Sequence, residues 1–320
     1  MKNYGNVSVL ILGYQRPANI QKLLSLCKNL GIENIYVSID GPKFGDSSAV
    51  ESQKHIVNVL DNFRKDFNGN FYSSVRRSNV GCAASVLSSI DWFFRQVDYG
   101  VILEDDCMPS EDFFKFASYM KLEIDRNEKI WIACGTQFAP SEVTGKSSVV
   151  SSYALTWGWM TSNIKWKEIR ESLFNNFDKS NKKSNILNVV ENQYWKAGAN
   201  RAYKGITDVW DTVLLYRMRI ENKFAILPNQ NLVSNIGMDD FATHTKVQTP
   251  FLNMQIGTLG ADYTKLNYST NVDYWLRTDF YKISFRHLIS TRITAFFDFI
   301  SYKDKHKQGL LQKWLEAEII

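Results

Sequence analysis

The first 135 residues alternate short apolar runs with stretches of helical period, and this alternation leaves few folds open. Val7 to Leu12 reads as a buried strand and Gly13-Tyr14-Gln15-Arg16 as a turn. Pro17 is the first residue of a helix, where a missing N–H costs nothing. Ile20, Leu23, Leu24, Cys27 and Leu30 then recur at helical spacing. Ile35 to Ile39 gives a second strand ending in Asp40-Gly41-Pro42, and a helix is expected around residues 50–67. Phe71 to Val75 leads through Asn79-Val80-Gly81 into a helix with Val86, Ile90 and Phe93 on one face. A fourth strand, Tyr99-Gly100-Val101-Ile102-Leu103, runs into Glu104-Asp105-Asp106; Ser110 then starts a helix, and Ile130 to Cys134 is another strand. Repeated strand–helix units connect by right-handed crossovers. The expected fold class is therefore α/β, a doubly wound, mostly parallel sheet with helices on both faces.

In such sheets ligands bind beyond the carboxyl ends of the strands. The turns at residues 14–16, 40–41 and 104–106 all lie at those ends, so residues distant in sequence are expected in one crevice. Three consecutive carboxylates at a sheet rim repel one another and must be solvated, protonated or neutralised. A hard divalent cation answers that need, because Mg²⁺ or Mn²⁺ keeps one or two protein carboxylates and fills its other positions with water and phosphate oxygens. The triplet thus points to a metal-assisted phosphate-ester site, against the plainer reading of a solvated acidic turn.

The second half is richer in aromatics and irregular stretches. In Trp157-Gly158-Trp159 an indole face suits the apolar face of a sugar ring, while two packing tryptophans around a tight glycine is the alternative. Helices are expected near residues 185–198 and 208–221. Asp208 and Asp211 open the second of these, and an acidic residue in a first turn is often only a partner for the helix dipole. That plain reading fits Asp208 better than Asp211, which sits between Trp210 and Thr212.

Composition narrows the partners. The 320 residues are 44% hydrophobic and carry a net charge of +5, enough for a full core and too mild an excess to argue for nucleic acid. Cys27, Cys82, Cys107 and Cys134 are widely spaced with no CxxC pair, so reduced thiols and no zinc site are expected. No apolar run approaches the ~18 residues needed to span a bilayer, and the start of the chain has no signal-peptide pattern. The expectation is a cytoplasmic protein.

Several short motifs, in order across residues 7–246, carry a resemblance: Gly13-Tyr14-Gln15-Arg16-Pro17, Ser38-Ile39-Asp40-Gly41, Ser78-Asn79-Val80-Gly81, Ile102 to Ser110, Trp157-Gly158-Trp159, Asn231 to Gly237 and Ala242-Thr243-His244-Thr245. Together they resemble the GT-A glycosyltransferases that use nucleoside-diphosphate sugars, in particular bacterial proteins with an EDD-type, DXD-like motif and N-acetylglucosaminyltransferase I. The chain departs from that pattern after Trp159, where Met160-Thr161-Ser162 replaces the small residue, Thr and Trp of many relatives.

The resemblance implies roles residue by residue. Asp40 would accept hydrogen bonds from uridine or its ribose, and Arg16 would face the diphosphate. Asn79, Gly81 and Ser85 would border the nucleotide, and Glu104 and Asp105 would bind ribose or donor-sugar hydroxyls. Asp106 would ligate Mn²⁺ or Mg²⁺, and His244 would ligate the metal or donate to the diphosphate. Trp157 and Trp159 belong to the sugar side. An inverting transfer needs a base for the acceptor hydroxyl; Asp211 is the candidate, with Asp239 and Asp240 in reserve.

On this reading residues 1–270 form the catalytic domain, with a nucleotide-sugar half to about residue 135 and an acceptor half to 270. Residues 271–320 form a helical, basic extension, a membrane-surface, packing or oligomer element. The expected partners are a nucleotide sugar, UDP-linked by the resemblance, and a glycan or lipid-linked oligosaccharide acceptor in surface polysaccharide synthesis at the inner face of the plasma membrane. Two other function classes compete. One is a sugar-1-phosphate nucleotidyltransferase, which should carry a Gly-rich basic loop after the first strand; the other is a catalytically silent carbohydrate-binding protein.

Overall fold

The computed structural model describes residues 4, 7–174, 189–237, 251–284, 286 and 309–319. The first half builds the expected units: β1 (Ser8–Gly13), α1 (Pro17–Asn29), β2 (Asn34–Ile39), α2 (Ser47–Asp66), β3 (Asn70–Val75), α3 (Cys82–Phe94) and β4 (Tyr99–Glu104). Then come β5 (Cys107–Pro109), α4 (Glu111–Arg126) and β6 (Ile130–Cys134). Local signals set the helix starts. Pro17 opens α1, Asp46 Oδ1 accepts from the Ala49 amide at 2.9 Å to cap α2, and Ser110 caps α4.

The second half contributes α5 (Ser141–Thr144), β7 (Ser148–Ser151), β8 (Trp159–Ser162), α6 (Asn163–Phe174), α7 (Val189–Tyr203), α8 (Asp211–Ile220), β9 (Phe224–Leu227), β10 (Val233–Asn235), β11 (Leu266–Tyr268) and α9 (Thr270–Trp275). A π-helical turn at Leu276–Phe280 and α10 (Leu310–Glu316) complete the described elements.

A nine-stranded sheet runs β11-β7-β9-β6-β8-β4-β1-β2-β3. β3, β2, β1 and β4 are parallel, and β6 and β9 share their direction because β8, antiparallel to both β4 and β6, separates them. β7 and β11 are reversed. The fold is thus α/β with a mostly parallel sheet flanked by helices. Two apolar layers cover its faces: Val9, Ile11, Ile35 and Val37 join α1 and α4 on one side, and Leu10, Leu12, α3, Trp159 and α8 join on the other.

Within the segment that follows residue 270, α10 packs on α3: Trp314, 1% exposed, donates through Nε1 to Asp91 Oδ2 at 2.9 Å, and Arg95 pairs with Glu318. No helix among the described residues is long and apolar enough to cross a membrane.

Candidate functional site

Sheet register brings the turn residues to one level. Leu12 of β1 lies opposite Ser38 on β2 and opposite Glu104 on β4, so the residues after these three strands emerge side by side. They border a cavity of about 700 Å³ lined by Arg16, Asp40, Asn79, Ser85 and the whole triplet, with Trp157 and Asp211 on the side of the second half.

Asp40 is buried and its oxygens are engaged within the turn. Oδ1 accepts from the Gly41 and Val80 amides at 2.8 and 3.1 Å, and Oδ2 accepts from Asn79 Nδ2 at 2.8 Å. Burial pushes its carboxyl up to about 6, with the amides and Arg76 pulling the other way. Asp40 and Asn79 thus form one hydrogen-bonded corner across β2 and β3.

Arg16 and Tyr14 hold the triplet from the β1–α1 turn. Arg16 Nη1 donates to Asp105 Oδ1 at 2.7 Å and lies 3.4 Å from Asp106 Oδ2, while the Tyr14 amide donates to Asp105 Oδ2 at 3.0 Å. Burial lifts the Asp105 carboxyl to about 6 despite the guanidinium. Burial, and then the neighbouring Asp106, Asp105 and Asp211, holds Glu104 well above the usual carboxylate range. Crowding of this kind makes the group of carboxylates receptive to a cation.

β10 closes the far wall. Its antiparallel pairing sets Asn235 opposite Cys107, which carries the Ile236 amide to 2.8 Å from the Asp106 carbonyl. Gly237 follows against Asp106, where a Cβ would stand 2.4 Å from Oδ2, and its carbonyl accepts from Arg16 Nη2 at 3.4 Å. Asp239, Asp240 and His244 lie outside the described residues. No group of three or more His, Cys, Asp or Glu among the described residues is arranged to hold a metal ion. Asp106 offers one carboxylate, 19% exposed, with Arg16 Nη1 3.4 Å from Oδ2 and Cys107 Sγ 3.5 Å from Oδ1; it would serve as the single protein carboxylate of a Mg²⁺ or Mn²⁺ ion that takes its remaining ligands from phosphate and water.

Two expectations from the sequence need correction. Trp159 does not line the cavity: it is 1% exposed in β8, packed against Trp210 with ring centroids 5.6 Å apart, because strand alternation turns it into the core. Gly158, at φ +71°, makes the turn that leaves Trp157 at the cavity, braced edge-on by Phe138 at 5.1 Å. Gly81, between the lining residues Asn79 and Cys82, faces Asp208, itself on the cavity wall, whose oxygens accept from the Cys82 and Ala83 amides at 2.7 and 3.1 Å. Asp208 therefore serves the start of α3 and does not open the helix expected from residue 208, which begins only at Asp211.

Tyr14, of the turn expected at the crevice, lines the cavity, and so do Lys43 and Asp46, which were not singled out from the sequence. The signal for them was present, since they fall in the same turn as Asp40.

Comparison with protein-family models and with curated proteins finds no match. Among solved structures the chain is similar to a UDP-glucose pyrophosphorylase complexed with UDP-glucose, with a TM-score of 0.35 and 9% identity over 69% of this chain and 89% of that one. A likeness of that size assigns neither activity nor ligand here.

Proposed function

We propose that this chain is a GT-A-type glycosyltransferase that moves a sugar from a nucleoside-diphosphate donor, UDP-linked on the resemblance of its motifs, to an acceptor hydroxyl of a glycan or lipid-linked oligosaccharide. The observation that carries this reading is the convergence of Arg16, Asp40 and Asp106, from the ends of three adjacent strands, on one cavity that also holds Trp157 and Asp211.

Each residue then has a task set by its chemistry. The Asp40–Asn79 corner presents fixed polar groups to the nucleoside. Arg16, anchored on Asp105, offers a guanidinium to the diphosphate, a charge-assisted contact that a planar donor makes well. Glu104 and Asp105 face the ribose or donor-sugar hydroxyls, and the Trp157 ring offers an apolar face to a sugar. Asp106 would hold Mn²⁺ or Mg²⁺, which when bound offsets the charge that grows on the departing diphosphate. Asp211 takes the proton of the attacking hydroxyl as the new glycosidic bond forms and the bond to the diphosphate breaks, giving inversion at the anomeric carbon. His244 is a further candidate for the diphosphate side, and Asp239 and Asp240 for the base.

The test is incubation of the protein with a panel of nucleotide sugars and Mn²⁺, scoring release of nucleoside diphosphate. Release from one donor class, lost on chelation, supports the reading. No release from any donor overturns it.

A further inference from the structure

The Asp208 carboxylate crosses from the loop ahead of α8 to the opposite half of the chain. There it accepts from the first two amides of α3, at 2.7 Å from Cys82 and 3.1 Å from Ala83. α3 has no cap of its own: its N-cap residue is Gly81, and no side chain caps it from that position. Gly81 holds φ at +94°, and a Cβ there would stand 2.7 Å from Asp208 Oδ2, so only glycine leaves room for the carboxylate. Orphan amides at a helix start need an acceptor, and here a residue 126 positions away supplies it.

Asp208 also begins the stretch Asp208-Val209-Trp210-Asp211. Trp210 is 4% exposed and packs on Trp159, so the stretch is pinned by hydrogen bonds at 208 and by packing at 210. Asp211, the next residue, heads α8 on the cavity wall, with its Oδ1 accepting from the Thr212 amide at 2.7 Å.

We propose that Asp208 is a positioning residue for Asp211: its clasp on α3 sets the acceptor-side carboxylate at a fixed distance from the nucleotide-side turn of Asn79 to Gly81. The proposal rests on the transferase reading for the role of Asp211. It also means that the amides at the start of α3 are taken up internally, so the diphosphate is met by Arg16 and a bound cation and not by this helix end.

The test uses Asp208→Ala, Asp208→Asn, Asp211→Asn and the Asp208→Ala/Asp211→Asn double variant of the full chain. It measures nucleoside-diphosphate release from the donor panel with Mn²⁺, thermal midpoint, and amide hydrogen exchange. Asp208→Ala is expected to lower turnover about ten- to a hundredfold with donor affinity kept, and to cause no further loss in the Asp211→Asn background. Asp208→Asn, which retains one acceptor oxygen, falls between. The thermal midpoint drops equally in both backgrounds, which separates positioning from simple stability. Amides at 82–85 and 209–214 exchange faster in Asp208→Ala. Multiplicative losses in the double variant, or unchanged exchange at 209–214, overturn the proposal. Absence of release from the wild type with every donor sinks the transferase reading instead, and the exchange comparison still decides whether Asp208 fixes residue 211.

Discussion

Arg16 and Asp105 meet at 2.7 Å with side chains only 13% and 6% exposed, so the guanidinium that faces the cavity is also the partner of a buried carboxylate. The same contact ties the β1–α1 turn to the end of β4. Arg16→Ala would leave Asp105 buried without its cation, and removing one partner of a buried pair costs on the order of 3 kcal/mol. A urea-unfolding comparison is expected to show that loss together with weakened nucleotide binding. Unaltered stability would mean that the pair holds nothing in place.

The Asp106 carboxylate lines the cavity wall and fills no core volume. Asp106→Ala is expected to abolish Mn²⁺-dependent donor affinity, followed by calorimetry, with the thermal midpoint nearly unchanged. Gly237→Ala should reproduce part of that defect, because its Cβ would stand 2.4 Å from Asp106 Oδ2 and displace the carboxylate. Normal Mn²⁺-dependent binding in both variants would remove Asp106 from the site.

For Asp211 the expectation is kinetic. Asp211→Asn should keep donor affinity and lose turnover by ~10² to 10⁴-fold, the scale of general base catalysis. Near-normal turnover would shift the role to Asp239 or Asp240.

Asp40 gives a pH dependence with a definite sign. Its folded value of about 6 lies above the reference value of 3.8, so the folded state holds this proton more tightly than the unfolded chain. The associated stability is complete below the unfolded value and is lost as pH rises through about 6. Unfolding free energies without metal, measured between about pH 4 and pH 7.5, should fall more steeply in the wild type than in Asp40→Asn, by roughly 1–3 kcal/mol. Parallel curves would show that Asp40 is not the titrating group.

The two tryptophans around Gly158 should separate stability from binding. Trp159→Ala removes a core indole and is expected to cost about 3–5 kcal/mol. Trp157→Ala should leave most of the stability and weaken nucleotide-sugar binding. Equal effects of the two on the unfolding midpoint would contradict the division drawn between them.

Much of the cavity wall built by the first half was legible in the chain, because strand–helix alternation fixes the direction of crossovers and hence which turns share an edge. Arg16, Asp40 and the carboxylate triplet could be brought together on that basis alone, whereas Asn79 entered only through the resemblance. The wall built by the second half was not. β8 enters antiparallel between β4 and β6, a long-range pairing that no local pattern announces. The Trp-Gly-Trp pattern is symmetrical in sequence, and the opposite surroundings of Trp157 and Trp159 follow from the φ of Gly158 and the pleat of β8. Asp208 read as an ordinary first-turn acid, since nothing near it in sequence shows that its acceptors serve another helix.

The docking of α10 on α3 has a consequence for how the chain folds during synthesis. Asp91 of α3 is contacted by Trp166, Arg170 and Trp314, all made after it, the last more than two hundred residues later. Until those residues leave the ribosome, the side of α3 that carries Phe94 and Asp91 lacks its tryptophan cover, although Phe93 already has Tyr36 against it. Loss of the stretch at 309–319 would strip Trp314 from Asp91 of α3, so a chain truncated ahead of that stretch is expected to be sticky and aggregation-prone.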